Sequence, residues 1–385
     1  MVTSIDPTPS ATPGRSALVS GASFAGLATA WWLNRLGYWV TIVEAATTLR
    51  RGGTPVDIEG ETIDVLTRME LMEAVLIKTL SPRGIQFKDE DDVTLAAMEA
   101  ESDPAAQTRY EIHRDDLLDI LAGALPNEVE LLFGRSVEHL AERPDGISVT
   151  LSDGSHRDVA LVLGCDGNRS NTRRLAFGAN GEFAYFMGGY FFLKVVPHTG
   201  LLPANQSQVF SVPGRTALLN GYDDRTDIGF GFRTEREIDY DYRDRAQQRR
   251  LIQTQFDGLG WKVPAMLASV EGDDEFYFDK INQIRMPCWS RGRVALVGDA
   301  GYCVSPLAGF GGSMAIIGAG RLAEALERHP DDHVTAFRHY EDGLRPFVEE
   351  VQERAATSGL EMMFPADDAD FAERDRKLTA GEIDL

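Results

Sequence analysis

Cysteine is scarce in this chain of 385 residues, and no cysteine is spaced as a metal ligand. The three cysteines, Cys165, Cys288 and Cys303, are odd in number and far apart, and no histidine stands near them at zinc-site spacing. This pattern argues against a disulfide framework and against a metal site, and it fits a reducing compartment. We therefore expect a cytoplasmic protein without a metal centre.

Long apolar runs and excess basic charge are also lacking. The longest apolar stretch near the start, residues 17–36, is interrupted by polar residues and glycine, so it cannot span a bilayer. Residues 1–15 contain no basic and apolar signal segment, and we expect a flexible polar tail there. The net charge of -22 opposes nucleic acid and anionic lipid as partners. The expected partners are small molecules, and the expected state is a monomer or a homodimer.

The composition is that of a globular protein, with 43% hydrophobic and 25% charged residues. Near the start, a short apolar run, a helix-period stretch and a second apolar run predict a strand, a helix and a strand. Aromatic and β-branched runs between about residues 183 and 278 predict a separate sheet. We expect an α/β fold. Its parts are a discontinuous Rossmann-like domain at 16–180 and 280–330, a second β-sheet domain at 181–279, and C-terminal helices with a tail at 331–385.

A glycine-rich turn follows the first predicted strand. It reads GASFAG over residues 21–26, and Glu44 ends the next strand. In a dinucleotide-binding turn the glycines allow a tight bend, close approach of the pyrophosphate and packing of helix on strand, while the acid accepts from a ribose hydroxyl. Ser23 takes the place of the second glycine. A glycine-rich turn of some other α/β protein is therefore the alternative.

Two further stretches place acids directly after strands. GCDGNRSNTR, residues 164–173, brings Asp166 to the start of a helix, although an Asp-Gly turn is common by itself. GRVALVGDA, residues 292–300, ends a strand at Asp299. A glycine-rich loop then leads into a helix over residues 306–313. Such a loop and helix start present backbone amides and a helix dipole to negative charge.

In this order and spacing, the three motifs resemble the class A flavoprotein monooxygenases, the family of the para-hydroxybenzoate and phenol hydroxylases. The resemblance implies extended FAD, with adenine toward Glu44, pyrophosphate near the first turn and Asp299, and isoalloxazine under the 306–313 loop. Arg114 matches a residue that contacts the flavin's linking chain, and the backbone of Val137 matches one that meets adenine. The cofactor-binding residues implied are Gly21, Ser23, Ala25, Gly26, Glu44, Ala45, Arg51, Asp57, Arg114, Val137, Asp166, Asp299, Pro306, Gly309, Gly311, Gly312 and Ser313.

The resemblance also implies the activity. It is that of an FAD-dependent monooxygenase, which hydroxylates a small aromatic or polyketide-like substrate with O2 through a flavin C4a-hydroperoxide. No second dinucleotide motif occurs, so NADPH or NADH would dock transiently as reductant. The flavin performs the chemistry, and the scattered histidines form no nucleophile arrangement, so no side chain is assigned as catalytic. Arg51 or Asp57 is expected to border the reaction face.

Within the family, the chain looks most like the tetracycline-inactivating branch, through its length, its 51–57 loop and its terminal helices. The residues with which that branch holds its drug align with Phe192 and Asp227, which differ chemically, so the substrate stays open. Phe230 either lines a substrate pocket or fills the core.

The chain departs from the family pattern at several positions. Gly301 and Tyr302 replace the usual Ala and His, Phe310 and Ser313 replace Gln and Asn, and Ala45 replaces the Arg after the acid. Backbone contacts survive such changes, but flavin affinity or reactivity can shift. Two alternatives therefore remain. One is a reductase or dehydrogenase on the same fold, and the other is a non-catalytic flavin-binding protein.

Overall fold

The computed structural model describes residues 15–100, 108–197, 200–272 and 275–380. The tail expected at residues 1–15 lies outside this part of the chain, except for Arg15. Among the described helices, none combines the length and the apolar character that crossing a membrane requires.

Strands and helices alternate in the first half of the described chain, and helices end it. The strands are β1 (Ser16–Ser20), β2 (Trp39–Glu44), β3 (Val56–Glu59), β4 (Gly84–Lys88), β5 (Thr94–Met98), β6 (Arg109–Ile112), β7 (Glu130–Phe133), β8 (Val137–Arg143), β9 (Gly146–Leu151), β10 (His156–Val159), β11 (Leu161–Gly164), β12 (Ala184–Pro197), β13 (Gln206–Val212), β14 (Arg215–Gly221), β15 (Arg225–Arg233), β16 (Tyr277–Ile284), β17 (Ser290–Arg291) and β18 (Val294–Leu296). The helices are α1 (Phe24–Arg35), α2 (Glu61–Arg68), α3 (Met72–Ile77), α4 (Arg114–Gly123), α5 (Asn171–Phe177), α6 (Arg245–Phe256), α7 (Val263–Ser269), α8 (Asp299–Tyr302), α9 (Gly311–Arg328), α10 (His333–Arg354), α11 (Leu360–Met363) and α12 (Asp368–Ala380).

A six-stranded sheet forms the first layer, in the order β17-β18-β11-β1-β2-β7. Its strands run parallel, except for β17. All five residues of β1 are buried, as expected for a parallel strand covered on both faces. The predicted strand, helix and strand are β1, α1 and β2. The Rossmann-like α/β prediction is thus confirmed at its centre.

A seven-stranded sheet forms the second layer, in the order β16-β12-β15-β14-β13-β4-β5. The separate sheet predicted between residues 183 and 278 accounts for β12 to β15 and the start of β16. The strands β4 and β5 join it from the range given to the first domain, and β4 pairs with β13 in parallel. The boundaries at residues 180 and 280 stay a prediction.

The two faces of the second sheet have different neighbours. Side chains alternate between faces along each strand. On the helix face, rings such as Phe192, Phe230 and Phe232 pack with α6 and α7. We call the opposite side, which carries Phe191, Leu218 and Asp227, the open face.

The C-terminal helices connect the open face to the first layer. Phe364, after α11, packs on Gly231, where an added Cβ would lie 2.2 Å from the ring. The carbonyl of Met363 accepts from the Thr216 hydroxyl at 2.5 Å. Arg374 of α12 donates to the Ser211 hydroxyl at 3.2 Å. These contacts cover one end of the open face.

A two-stranded antiparallel ribbon, β3 with β6, lies beside the helix α9. Val56 and its partner Ile112 are buried, and Val56 packs on Gly312 of α9. Alternation places Asp57 and its cross-strand partner Glu111 on the other side of the ribbon.

Candidate active site

The glycine turn between β1 and α1 leaves no room for side chains. Gly21 has φ +107°, and a Cβ there would lie 2.4 Å from the Cys165 carbonyl oxygen. A Cβ on Gly26 would lie 1.9 Å from the Gly21 carbonyl oxygen. Ala25 is buried one residue before it. The first turn of α1 therefore rests directly on the end of the strand, which is the packing that a dinucleotide-binding turn needs.

The N-terminus of α1 has no side-chain cap. Ser23 occupies the N-cap position, but its hydroxyl makes no capping hydrogen bond and accepts instead from Arg114 Nη2 at 3.2 Å. Arg114 also donates to the Arg50 carbonyl at 2.8 Å, and its guanidinium lies 5.2 Å from the centre of the Phe24 ring. Burial lowers the pKa of Arg114 from its usual value. Unbonded helix amides beside an arginine form a site suited to a pyrophosphate.

Glu44 joins the glycine turn to the end of β2. Its two carboxylate oxygens accept from the amides of Ala22 and Ala46, each at 2.9 Å. The Arg135 amide donates to the Glu44 carbonyl at 3.0 Å, and Val137 begins β8 two residues later. Together with the exposed Ala45, the residues predicted for the adenine end thus lie in one region.

Asp166 accepts hydrogen bonds from residues at the start of helix α5. Oδ2 accepts from the amide and the hydroxyl of Thr172, each at 2.9 Å, and Oδ1 accepts from the Ser170 hydroxyl. The Ser20 hydroxyl, at the end of β1, donates to Oδ2 at 3.3 Å. Asp166 thus fixes the turn that supports Gly21, and its contact with the cofactor stays a prediction.

Asp299 is a half-buried acid at the first position of α8. Gly298 precedes it with φ +66°, and a Cβ there would lie 3.1 Å from that of Ala25, so Asp299 lies close to α1. Burial raises the pKa of Asp299 to about 6, while a hydrogen bond from Cys303 and the charge of Arg173 oppose that rise. Such a carboxylate is placed to accept from a hydroxyl of a bound molecule.

The loop before α9 leaves its backbone open. It begins with a 3-10 turn at Pro306. Gly309 has φ +65°, and a Cβ added there or on Gly311 would meet nothing within 4 Å. The N-cap residue of α9, Phe310, offers no side-chain hydrogen bond. The first amides of this 18-residue helix can therefore face a flat ring that carries negative charge.

Ser313 and Asp57 connect this loop to the β3–β6 ribbon, because the buried Ser313 hydroxyl donates to the Asp57 carbonyl. The Asp57 carboxylate accepts from Arg109 at 2.7 Å. Arg51, in contrast, forms a bidentate ion pair with Asp119 at 2.9 and 2.6 Å, and half of its side chain is exposed. Of the two residues predicted to border the reaction face, Asp57 is the one beside α9.

This donor set fits FAD. Two uncapped helix starts can hold the pyrophosphate and the edge of the isoalloxazine, and Arg114 adds a positive charge next to the first. Two strand-end acids, Glu44 and Asp299, are available for ribose and ribityl hydroxyls.

The predicted substrate residues fall on different faces of the second sheet. Phe192 and Phe230 are fully buried on the helix face, and the Phe230 ring lies 4.7 Å from that of Phe256 in α6. Of the two roles left open for Phe230, the structure shows the core-filling one, and a substrate contact of Phe192 is not supported, because strand alternation points both rings into the core. Asp227 lies on the open face, and it is only 1% exposed.

Asp227 carries a perturbed carboxyl group. Tyr222 donates its hydroxyl to Oδ2 at 3.3 Å. Oδ1 is buried and has no hydrogen-bond partner among the described residues. Burial raises the pKa of Asp227 to about 7, although Tyr222 and Arg83 oppose that rise.

Replacing Asp227 with asparagine is expected to stabilise the protein increasingly as pH rises. From about pH 4 to pH 7 the unfolded chain releases the Asp227 proton while the folded protein keeps it, so the wild type loses stability over this window. The asparagine side chain does not ionise, so the variant does not lose stability over this window. The advantage of the variant should grow by about 2 kcal/mol between about pH 5.5 and pH 8.5. Denaturant unfolding of both proteins at the two pH values measures it.

A matched control is Asp158→Asn, which removes an exposed carboxylate paired with Arg143 at 3.5 Å. The stability of this variant relative to the wild type should not grow comparably with pH. An equal effect of Asp227→Asn at both pH values would show that Asp227 titrates as an ordinary carboxyl.

The chain is similar to known flavoproteins along most of its length. Residues 15–192 match the FAD binding domain family. The uncharacterized protein Rv1260 of Mycobacterium tuberculosis is 38% identical over 345 residues, 88% of this chain and 92% of that protein. A flavin-dependent monooxygenase of an unknown prokaryotic organism is 33% identical over 86% of each chain. The crystal structure of the tetracycline destructase Tet(51) superposes with a TM-score of 0.84 at 30% identity, over 95% of this chain and 96% of that chain.

Proposed function

The chain belongs to the FAD-dependent monooxygenases, and we propose that it hydroxylates a small aromatic or polyketide-like substrate with O2 and a transiently docked NADPH or NADH. The observation that carries this proposal is the position of α9. Its uncapped N-terminus, behind the open glycine loop, is joined through Ser313 and Asp57 to the β3–β6 ribbon. Glu111 of that ribbon pairs with Arg83, which directly precedes β4 of the second sheet. An isoalloxazine ring bound at the 306–313 loop would therefore lie next to a surface that can hold the substrate.

We assign the binding of FAD to the residues brought together around the two helix starts. The α1 turn and Arg114 bind the pyrophosphate, Glu44 and the Val137 backbone lie at the adenosine end, and Asp299 accepts from the ribityl chain. The 306–313 loop carries the isoalloxazine. FAD, when bound, supplies the redox chemistry that activates O2 and inserts one oxygen atom into the substrate.

The remaining task of the protein is to position the substrate and exclude water. The apolar cluster of Met187, Ile281, Ala355 and Phe364 joins the loop residue Leu307 to the second sheet. It closes one side of the space between the loop and the open face.

A tetracycline-type molecule is one substrate class to test, because Tet(51) is a tetracycline destructase. Of the two aligned positions, Phe192 is buried in the core and Asp227 differs chemically from the residue of that branch, so the search should extend to phenols and other polyketides. We also propose that the protein works in the cytoplasm as a monomer or homodimer. The free state of Cys165, Cys288 and Cys303 supports a reducing environment.

The test is turnover of the purified holoenzyme with NADPH or NADH under ¹⁸O₂, across a panel of phenols, polyketides and tetracyclines. We expect a substrate to accelerate flavin reduction and its product to gain one ¹⁸O atom. A changed product without ¹⁸O would indicate the reductase or dehydrogenase. Bound FAD that no nicotinamide reduces, with any compound, would indicate a flavin-binding protein without catalysis. Parallel reactions in H₂¹⁸O with unlabelled O2 control for exchange from water.

A further inference from the structure

A cavity of about 300 Å³ lies between α10 and the segment that follows β16. It is lined by none of the residues assigned above to FAD or to the substrate surface. Its rim carries exposed residues of α10, so the cavity opens to solvent. Concave sites with apolar walls and a few polar groups are where proteins bind small molecules. The buried side chains that form its floor are Ile284, Met286, Trp289, Tyr302, Val348 and Gln352.

The side chain of Gln352 gives this floor a fixed hydrogen-bond acceptor. Gln352 is 6% exposed, and its Nε2 donates to the carbonyls of Ile284 at 2.9 Å and Cys303 at 3.0 Å. Because both N–H groups are bonded, the amide cannot turn over. Its Oε1 accepts no hydrogen bond from the described residues, yet it keeps accessible surface, unlike the sealed polar atoms of the core. Since Gln352 lines the cavity, that oxygen is available to a donor bound there.

The guanidinium of Arg345 gives the cavity a flat and immobile wall. Nη1 donates to the Met286 carbonyl at 3.2 Å and to Glu349 at 3.3 Å, and Nη2 donates to Glu341 at 2.5 Å. The guanidinium lies 4.7 Å from the centre of the Trp289 ring. One of its faces is thus covered, but the side chain is still 26% exposed. A guanidinium plane stacks well on aromatic rings, so the other face suits a flat ring.

The charges around the cavity favour a neutral ligand. Arg345 already lies between the carboxylates of Glu341 and Glu349. Glu353 is exposed at the rim, whereas Arg285 is the other cation of the lining. Carboxylates therefore outnumber guanidiniums here, and no surplus positive charge attracts an anion.

We propose that this cavity binds a neutral, flat aromatic molecule that carries an N–H or O–H donor. The ring stacks on the Arg345 guanidinium and packs against Met286 and Val348, and the donor bonds to Gln352 Oε1. This site is additional to the proposed flavin and substrate sites, and its ligand is not the molecule that is oxygenated. Since Gln352 also holds the Cys303 carbonyl, the ligand would lie against the segment that leads into the 306–313 loop.

The test is an NMR titration of the oxidised holoenzyme, labelled at its methionine methyl groups and kept without reductant. The probes are indole, which is flat and neutral and has an N–H donor, and benzofuran, which has nearly the same shape without the donor. Indole should shift the Met286 methyl signal, which the volume-conserving variant Met286→Leu identifies. Its dissociation constant should be about fivefold lower than that of benzofuran, as expected for one hydrogen bond.

A variant that fills the cavity locates the site. Val348 lines the cavity and is 1% exposed, so Val348→Phe should place a ring in the space that indole would occupy. We expect this variant to weaken indole binding at least about tenfold. The matched control is Val334→Phe, the same substitution in α10 at a residue that is 60% exposed, and it should bind indole as the wild type does.

The possible results separate the site from its ligand class. A Met286 signal that indole does not move, or indole binding that Val348→Phe leaves intact, would overturn the site. Equal affinities for indole and benzofuran would overturn the role of Gln352 as acceptor. Should Val348→Phe fail to fold, the Met286 signal of the wild type decides. None of these results depends on whether the protein incorporates ¹⁸O, so the monooxygenase proposal stands or fails separately.

Discussion

Replacing Gly26 with alanine is expected to lower the affinity for FAD by about a hundredfold. The new Cβ would lie 1.9 Å from the carbonyl oxygen and 2.9 Å from the carbonyl carbon of Gly21, and both atoms belong to the backbone. The helix α1 must therefore move away from β1, and its first amides lose their alignment with the pyrophosphate. Losing two hydrogen bonds to a charged group costs about 3 kcal/mol, which corresponds to the expected factor. Fluorescence titration of the apoprotein with FAD measures the dissociation constant.

Gly123→Ala is the matched control. Gly123 ends α4 with ordinary helical backbone, and an added Cβ meets nothing within 4 Å. Its affinity for FAD should equal that of the wild type. A folded Gly26→Ala protein that binds FAD as tightly as this control would contradict the assigned role of the turn.

A second variant separates cofactor binding from folding. Ser23→Asp places a carboxylate beside the same uncapped amides without a backbone clash, since Ser23 is the N-cap residue of α1. An acid at this position stabilises the free helix and repels a pyrophosphate. We expect a stable protein with reduced FAD affinity, as measured by thermal unfolding and by the same titration.

The elements that we propose to bind FAD could be recognised in the sequence because each is local. The turn at 21–26, the acid at Glu44 and the loop at 306–313 are short patterns in which spacing fixes backbone geometry. The structure then brings the turn and Glu44 together because the parallel strands β1 and β2 end at the same edge of the sheet.

Strand pairing and the burial of each face in the second sheet could not be predicted in this way. GIQFK at residues 84–88 does not indicate a partner strand, and β4 pairs with a strand more than 100 residues later. Alternation in β12 and β15 predicts that Phe192 and Phe230 share a face, but only the packing of α6 and α7 decides that this face is closed.

The buried side chains of Arg83 and Asp227 could not be predicted for a related reason. In the sequence, Arg83 and Asp227 are isolated charges in separate segments, and isolated charges are usually solvated. Only long-range strand pairing brings Arg83, directly before β4, and Asp227 of β15 to the same sheet, and only burial shows that their hydrogen bonds are incomplete.

Asp299→Ala is expected to weaken FAD binding by about 10- to 100-fold, because an ionised carboxylate that accepts from a hydroxyl contributes about 1.5–3 kcal/mol. In the free protein, burial raises the pKa of Asp299 to about 6, so its ionisation costs stability as pH rises through that value. A hydroxyl donor on the ribityl chain favours the ionised form. Wild-type affinity for FAD should therefore fall as pH decreases below about 6.

Calorimetric titration of apoprotein with FAD, from about pH 5 to pH 8.5, tests this dependence. Asp299→Asn keeps the size and an acceptor oxygen of the side chain but cannot ionise, so its affinity should be intermediate and should lack the step near pH 6. Asp158→Asn, at an exposed ion pair, should reproduce the wild-type curve. A wild-type dissociation constant that stays level across this range would show that no hydroxyl donates to Asp299, and the ribityl chain would then have to be held by the backbone of the neighbouring turns.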